Sequence, residues 1–150
     1  MLHVRPARGY HDRVEGAAPL VLVVASDDAR RAAHVAALRR WALRTVEAGS
    51  GAGAVRRLRR TSDVALIVVD DDVGYAGWLP IARFVANAVE CARIPIAIVT
   101  TRPEARAIAR LLGMLPVGAP VPASIVHRLL SGHGPARGPG RPPVPRLLLH

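Results

Sequence analysis

The chain has 150 residues, 51% of them apolar, which is the size and composition of one domain with its own hydrophobic core. Its 21 basic residues are all Arg, and against 11 Asp and Glu they give a net charge of +10. Because Cys91 is the only cysteine, an intramolecular disulfide is excluded. The longest apolar runs, such as residues 64–69, are too short to span a membrane. We therefore predict a reduced, cytoplasmic setting.

The two ends of the chain differ in composition from its middle. Residues 1–18 are polar and show no periodicity, which predicts a flexible lead-in. Residues 132–150 are dense in Gly, Pro and Arg, and this composition predicts a flexible tail. A single domain is expected over residues 19–131.

Within that domain, apolar runs alternate with segments of helical period. The predicted strands are residues 20–25, 44–48, 64–69, 94–99 and 115–121. The predicted helices are residues 27–44, a short helix around 54–58, a helix started by Pro80 and running to about 91, residues 104–112 and residues 123–130. Alternation of this kind is typical of βα units and a parallel sheet, with functional loops at the carboxyl ends of the strands.

The apolar runs also predict a core. Strands of a parallel sheet are covered on both faces, so their sequences read as continuous apolar stretches. We expect six strand side chains to be buried: Leu22, Val24, Leu66, Val68, Ile96 and Ile98.

Three stretches, with the intervals between them, resemble the receiver domains of bacterial response regulators. They are the segment from Val23 through Asp28 to Val55 with its Ala-x-x-Gly-x-x-Ala pattern, Asp70 at the end of the third strand, and the fourth strand with Thr100 after it. The resemblance covers roughly residues 20–130. It implies a flavodoxin-like (βα)5 fold, α/β and doubly wound, with five parallel strands in the order 2-1-3-4-5.

The resemblance also assigns positions around a phosphorylation site. Asp70 stands where receivers have their phosphoacceptor. Ala25 and Ser26 stand where the family keeps a carboxylate pair that holds Mg²⁺ together with the phosphoacceptor. Asp27 corresponds to the acidic residue that often follows the pair, and Asp28 lies one position further. A metal site is therefore not expected, and Asp27 and Asp70 are the only weak candidates for ligands.

Other parts of the receiver pattern are altered as well. The family's Lys before a Pro, after the fifth strand, is replaced by Ala119 or Val121, and no Lys exists elsewhere. Thr100 matches the switch residue, but the aromatic residue that moves with it is missing from the fifth strand. These changes resemble degenerate receivers that act as phosphorylation-independent interaction modules.

The sequence thus predicts an atypical, stand-alone receiver-like module of two-component signalling, a non-enzyme without cofactor, in which Asp70 accepts little or no phosphoryl group. Its expected partner is a protein, namely a regulator, a sensor kinase or a second copy, bound through about residues 102–130. The alternative is a true phosphoacceptor of a phosphorelay, which uses Asp70 and Mg²⁺. The six His residues show no ligand spacing and are interpreted as lying mostly in the tails or on helix surfaces.

A third hypothesis is a nucleotide- or nucleic-acid-binding module built from the glycine loop at residues 49–53 and the Arg-rich helices. The loop follows the weak second strand and has neither of the common phosphate-loop spacings. No aromatic platform accompanies the Arg residues. We therefore do not expect a nucleic acid or a membrane as partner.

Overall fold

Strands and helices alternate along the chain in the computed structural model, which describes residues 18–91 and 93–132. The strands are β1 (Leu20–Val24), β2 (Arg44–Ala48), β3 (Val64–Asp70), β4 (Ile96–Val99) and β5 (Leu115–Val117). The helices are α1 (Asp28–Arg39), α2 (Gly51–Arg60), α3 (Gly74–Asn87), α4 (Pro103–Leu111) and α5 (Ala123–Leu130), with 3₁₀ turns at Asp71–Val73 and Val89–Cys91. Apart from residues 18 and 132, the predicted lead-in and tail lie outside the described residues.

The five strands form one parallel sheet in the order β2-β1-β3-β4-β5, which confirms the predicted topology. In the centre of the sheet, Leu22 pairs with Val46 on one side and Ile67 on the other. At the carboxyl ends of β3 and β4, Asp70 pairs with Val99. The residues that follow the carboxyl ends of β1, β3 and β4 therefore meet at one edge of the sheet.

Two apolar clusters cover the two faces of the sheet. Helices α2, α3 and α4 contribute to one cluster, and α1 and α5 contribute to the other. All six side chains predicted to be buried are so, with exposures from 0% to 7%. Both faces of the central strands are thus shielded from water, as their uninterrupted apolar sequences require.

Leu66 provides a test of this core because it lies in β3 and is fully buried. Truncating Leu66 to Ala should lower the free energy of unfolding by about 2–5 kcal/mol, since it removes apolar contacts and leaves a cavity. Chemical denaturation of both proteins measures the difference. The matched control is Val89→Ala, because Val89 is 90% exposed and its truncation should change the stability by less than about 0.5 kcal/mol. Equal effects of the two variants would contradict a central position for β3.

Helix α3 begins six residues earlier than predicted, at Gly74, so the prediction that Pro80 starts this helix was wrong. The 3₁₀ turn after β3 leads directly into α3, and Pro80 lies inside the helix. Pro80 has no N–H group to donate within the helix. Burial of Trp78 and Ile81 on either side of it favours the helix despite the missing bond.

The glycine loop after β2 has a packing role. The Ser50 hydroxyl accepts a hydrogen bond from the Gly53 N–H at 3.0 Å and thereby caps α2. A Cβ atom added at Gly51 would lie 2.8 Å from the Cα of Gly77 in α3, closer than a side-chain carbon can approach. The absence of a side chain at Gly51 therefore allows α2 and α3 to touch.

No helix in the described part of the chain is long and apolar enough to cross a membrane.

Candidate functional site

Three consecutive carboxylates lie at the carboxyl end of β3. Asp70 is the last residue of the strand and is 1% exposed, whereas Asp71 and Asp72 belong to the following 3₁₀ turn and are partly exposed. The Asp70 side chain accepts a hydrogen bond from the Asp72 N–H at 3.0 Å and so caps this turn. Arg30 lies within 3.9 Å of all three carboxylates, and Asp71 and Asp72 each have further partners of their own.

Asp70 is held by two side chains of α1. Arg30 donates from Nη2 to Oδ1 at 2.6 Å and from Nε to Oδ2 at 3.1 Å, which is a bidentate ion pair. His34 lies one helical turn further along α1, and its Nε2 is 2.7 Å from the same Oδ2. Since an ionised carboxylate only accepts hydrogen bonds, Nε2 carries the proton in this contact.

These contacts use the whole acceptor capacity of Asp70. A carboxylate offers about four lone-pair sites on its two oxygens. Oδ1 receives Arg30 Nη2 and the Asp72 N–H, and Oδ2 receives Arg30 Nε and His34 Nε2. Both oxygens of a nearly inaccessible carboxylate are therefore occupied by donors from the protein itself.

The same contacts set the acidity of Asp70. Burial is the largest single influence and raises its pKa, but the hydrogen bonds from His34, Arg30 and the Asp72 N–H, with the charge of Arg30, outweigh it. The net result lowers the pKa of Asp70 from 3.8 to about 2. Asp70 is therefore ionised in the folded protein at neutral pH and is protonated only as the pH falls towards 2.

Because the pKa of Asp70 is lower in the folded state than in the unfolded chain, the free energy of unfolding should fall as the pH falls. The contribution of ionised Asp70 is fully present above the ordinary pKa near 4 and is lost as the pH falls towards 2. We expect wild type to lose about 2 kcal/mol more than Asp70→Asn between pH 5 and pH 2. Urea denaturation at a series of pH values measures this difference. The control is Asp63→Asn, which removes a half-exposed carboxylate paired with Arg44. If the free energy of unfolding changed equally with pH in wild type and in Asp70→Asn, the prediction would be contradicted.

Asp71 is bound by two residues that follow β4. The Thr100 hydroxyl donates to Asp71 Oδ2 at 2.6 Å, and Arg102 Nε reaches the same oxygen at 3.4 Å. The Arg102 guanidinium also lies 5.7 Å from the centre of the Tyr75 ring. Thr100 therefore lies beside the acidic turn, as the receiver resemblance predicts, but its hydroxyl binds Asp71 and not Asp70.

Asp72 binds the backbone that leads into α1. Its two carboxylate oxygens accept the backbone N–H groups of Ser26 and Asp27, both at 2.9 Å. The Asp27 side chain in turn accepts the Arg30 N–H at 2.9 Å. These bonds tie the turn after β3 to the start of α1 and place Arg30 next to Asp70.

The positions that correspond to the metal-binding carboxylates of receivers do not fit a divalent cation. Ala25 has no polar side chain, and its carbonyl oxygen accepts Arg31 Nη1 at 2.7 Å. Asp28, the first residue of α1, is paired with Arg31 at 2.6 Å, and its side chain is 91% exposed. Among the described residues, no three His, Cys, Asp or Glu side chains are grouped so as to hold a metal ion. The oxygens that Mg²⁺ prefers are already committed to Arg, His and backbone N–H donors.

The two candidate positions for the missing Lys differ in exposure. Ala119 is exposed, whereas Val121 is 5% exposed and packs in the apolar cluster with Val126. Neither side chain offers a charge to Asp70. The cation beside Asp70 is Arg30, which comes from α1 and not from the loop after β5.

Sequence reasoning missed both partners of Asp70. The interpretation of His34 as a surface residue was wrong, since its side chain is only 10% exposed and binds Asp70. A signal was present, because Arg30 and His34 are four residues apart and so lie on one face of α1. The helix follows the strand next to β3, so that face is able to point towards Asp70.

No protein-family model and no curated protein matches this chain, but solved structures do. The receiver domain of a histidine kinase from Syntrophus aciditrophicus is 22% identical with a TM-score of 0.66, and the match covers 82% of this chain and 96% of that one. A putative response regulator from Chloroflexus aurantiacus is 16% identical with a TM-score of 0.68, covering 76% and 98% of the two chains. A response regulator receiver protein from Pseudomonas putida is 24% identical with a TM-score of 0.62, covering 77% and 98%.

These similarities, together with the strand order and the acidic edge, define the fold. The described chain has the response-regulator receiver fold, as the sequence motifs predicted.

Proposed function

We propose that this protein is an atypical receiver module of two-component signalling that binds another protein and accepts little or no phosphoryl group on Asp70. The observation that carries the proposal is the occupation of both Asp70 oxygens by Arg30, His34 and the Asp72 N–H, on a side chain that is 1% exposed. A nucleophilic carboxylate needs a free lone pair and access to the phosphoryl donor. Asp70 offers neither.

The electrostatics of the site support the same conclusion. Transfer to a carboxylate brings one anion up to another, and receivers offset the repulsion with a bound Mg²⁺ and a Lys, as the resemblance implies. Here Ala25 supplies no metal ligand, and Ala119 supplies no charge. The Arg30 guanidinium compensates the Asp70 carboxylate itself, so that it is not available to an incoming phosphoryl group.

Binding to a protein partner is the remaining activity of such a module. The resemblance places the contact surface on about residues 102–130, which include α4, β5 and α5. Leu111 at the end of α4 is 60% exposed, and an exposed Leu on this surface suits a protein contact. A regulator, a sensor kinase or a second copy of the chain fits this surface, in a cytoplasmic setting.

The test is incubation of the protein with acetyl phosphate and Mg²⁺, followed by measurement of the intact mass. We expect no gain of a phosphoryl group in wild type, beyond the level seen in Asp70→Asn. A stoichiometric mass gain that Asp70→Asn abolishes would overturn the proposal.

The same experiment tests the alternative function, a phosphoacceptor of a phosphorelay. One observation favours it: Arg30 places a cation 2.6 Å from Asp70, and an Arg is able to bind phosphoryl oxygens in place of the missing Lys. In that case Arg30 and His34 would have to leave Asp70 before transfer. Phosphorylation of wild type that Arg30→Ala abolishes would establish this alternative.

A further inference from the structure

A groove lies between α2 and α3, on the face of the sheet opposite α1 and α5. Its volume is about 920 Å³, in the range of known binding sites. The exposed and half-buried side chains of its floor are mainly apolar: Ala52, Val55, Ala76, Leu79, Pro80 and Phe84. The groove is separate from the acidic edge around Asp70 and from residues 102–130.

The rim of this groove is strongly basic. Arg56 and Arg59 of α2 and Arg83 of α3 line it, and all three are exposed. The two helices together carry five Arg and no Asp or Glu. The Arg59 guanidinium lies 5.6 Å from the centre of the Phe84 ring, which holds this charge over the apolar floor.

We propose that this groove binds an amphipathic helix of a partner protein, with an apolar stripe flanked by Asp or Glu. Apolar side chains at positions i, i+3 or i+4, and i+7 of such a helix would fill the floor. Its flanking carboxylates would pair with the Arg residues on either side, and Arg binds carboxylates in a bidentate manner. The apolar floor distinguishes this partner from nucleic acid, whose backbone needs a polar surface.

Charge also argues against the C-terminal residues and against a second copy as the occupant. Residues 133–150 contain three Arg and no Asp or Glu, so they would meet the basic rim with like charge. A second copy carries the same net charge of +10, which opposes its approach to this face. An acidic helix from a different protein fits the observed charge best.

The proposal rests on the protein-binding function proposed above, and the probe for it is a synthetic peptide. A fluorescein-labelled peptide of about five helical turns carries one Leu stripe with Glu on both sides. Titration of the full-length protein, followed by fluorescence anisotropy, should give saturable binding. A scrambled peptide of the same composition, without the stripe, and a peptide with Lys in place of Glu should each bind at least about tenfold more weakly. Equal binding of the three peptides, or no saturable binding of the first, would overturn the proposal.

Charge reversal on the protein locates the site. Arg59→Glu combined with Arg83→Glu should weaken binding of the Glu and Leu peptide about tenfold or more. Ala76→Glu places a carboxylate on the floor of the groove. It serves as a second variant if the double Arg variant shows no cooperative thermal unfolding and so is not folded. The matched control is Arg40→Glu, because Arg40 is exposed at the end of α1 on the opposite face. Equal loss in the control would overturn the proposal.

Two further ligands test a membrane and a nucleic acid as partners of this groove. Vesicles of phosphatidylglycerol and phosphatidylcholine and a short DNA duplex are each titrated under the same conditions. Binding to vesicles or DNA that depends on Arg59 and Arg83, without binding of the peptide, would overturn the proposal in favour of a membrane or a nucleic acid. Since neither Arg lies near Asp70, the phosphorylation assay gives the same result in these variants, and failure of one proposal is distinguishable from failure of the other.

Discussion

We expect aspartyl phosphorylation to appear when the altered positions around Asp70 are restored and its Arg partner is removed. The variant combines Ala25→Asp, Ser26→Asp, Ala119→Lys and Arg30→Ala. The first two changes supply the carboxylate pair, the third supplies a cation from an exposed position after β5, and the fourth releases one acceptor site on each oxygen of Asp70. With acetyl phosphate and Mg²⁺, the Asp70 oxygen should form a bond to phosphorus while acetate leaves.

The size of this effect follows from the electrostatics of the transfer. Loss of one preorganised partner of a developing charge typically costs about 3–4 kcal/mol, which corresponds to a factor of about a hundred or more in rate. Wild type lacks the carboxylate pair and the Lys, so the restored variant should react at least about a hundredfold faster. Intact-mass measurements over time give both rates.

Two further variants control this experiment. The restored variant with Asp70→Asn should gain no mass, which identifies Asp70 as the acceptor. Arg30→Ala alone should also remain unmodified, because it removes the Arg30 donors from Asp70 without creating a cation site. Mg²⁺ should raise the melting temperature of the restored variant but not of wild type, since a ligand stabilises the state that binds it. If the restored variant binds Mg²⁺ and still gains no mass, the missing metal ligands and Lys are not what limits phosphorylation of Asp70.

The fold was predictable from the sequence because its signals are local. Each central strand is an uninterrupted apolar run, and β3 ends at Asp70, where a polar loop must begin. The intervals between these runs, together with the motifs, identified the receiver pattern and hence the strand order. Burial of Leu66 followed from its strand alone and required no knowledge of its neighbours.

The partners of Asp70 were not predictable in the same way. Arg30 and His34 lie 40 and 36 residues away along the chain, and their contact with Asp70 depends on the rotation of α1 about its own axis. That rotation is fixed by the bonds from Ser26 and Asp27 to Asp72, which the sequence pattern does not reveal. A lone His on an amphipathic helix therefore read as a surface residue.

The groove between α2 and α3 was hidden for a related reason. The sequence placed the start of α3 at Pro80, which left Ala76 and Leu79 in a loop. Both residues lie on the floor of the groove. The Arg residues of α2 were recognised as a basic surface, but the apolar floor beside them depends on how closely α2 and α3 approach at Gly51 and Gly77.

Removal of both side-chain partners of Asp70 is expected to destabilise the fold strongly. The variant with Arg30→Ala and His34→Ala leaves a carboxylate that is 1% exposed with the Asp72 N–H as its remaining hydrogen-bond donor. Removing the partners of a buried charge typically costs about 3–5 kcal/mol, because the charge is left without compensation. Urea denaturation at pH 7 should show a loss of this size, and Arg40→Ala at the exposed end of α1 should change the stability by less than about 0.5 kcal/mol.

A double-mutant cycle separates the charge effect from the packing of α1. When Asp70→Asn is already present, the same two truncations should cost at least about 1–2 kcal/mol less, because a neutral amide does not need a counter-charge. The loss should also shrink as the pH falls below about 4, where the Asp70 carboxyl of the variant becomes protonated and no longer requires Arg30. An equal loss with and without Asp70→Asn, unchanged by acid, would show that Arg30 and His34 stabilise the protein through α1 alone. A coupling of the expected size would show that these two side chains stabilise the protein by compensating the buried charge of Asp70.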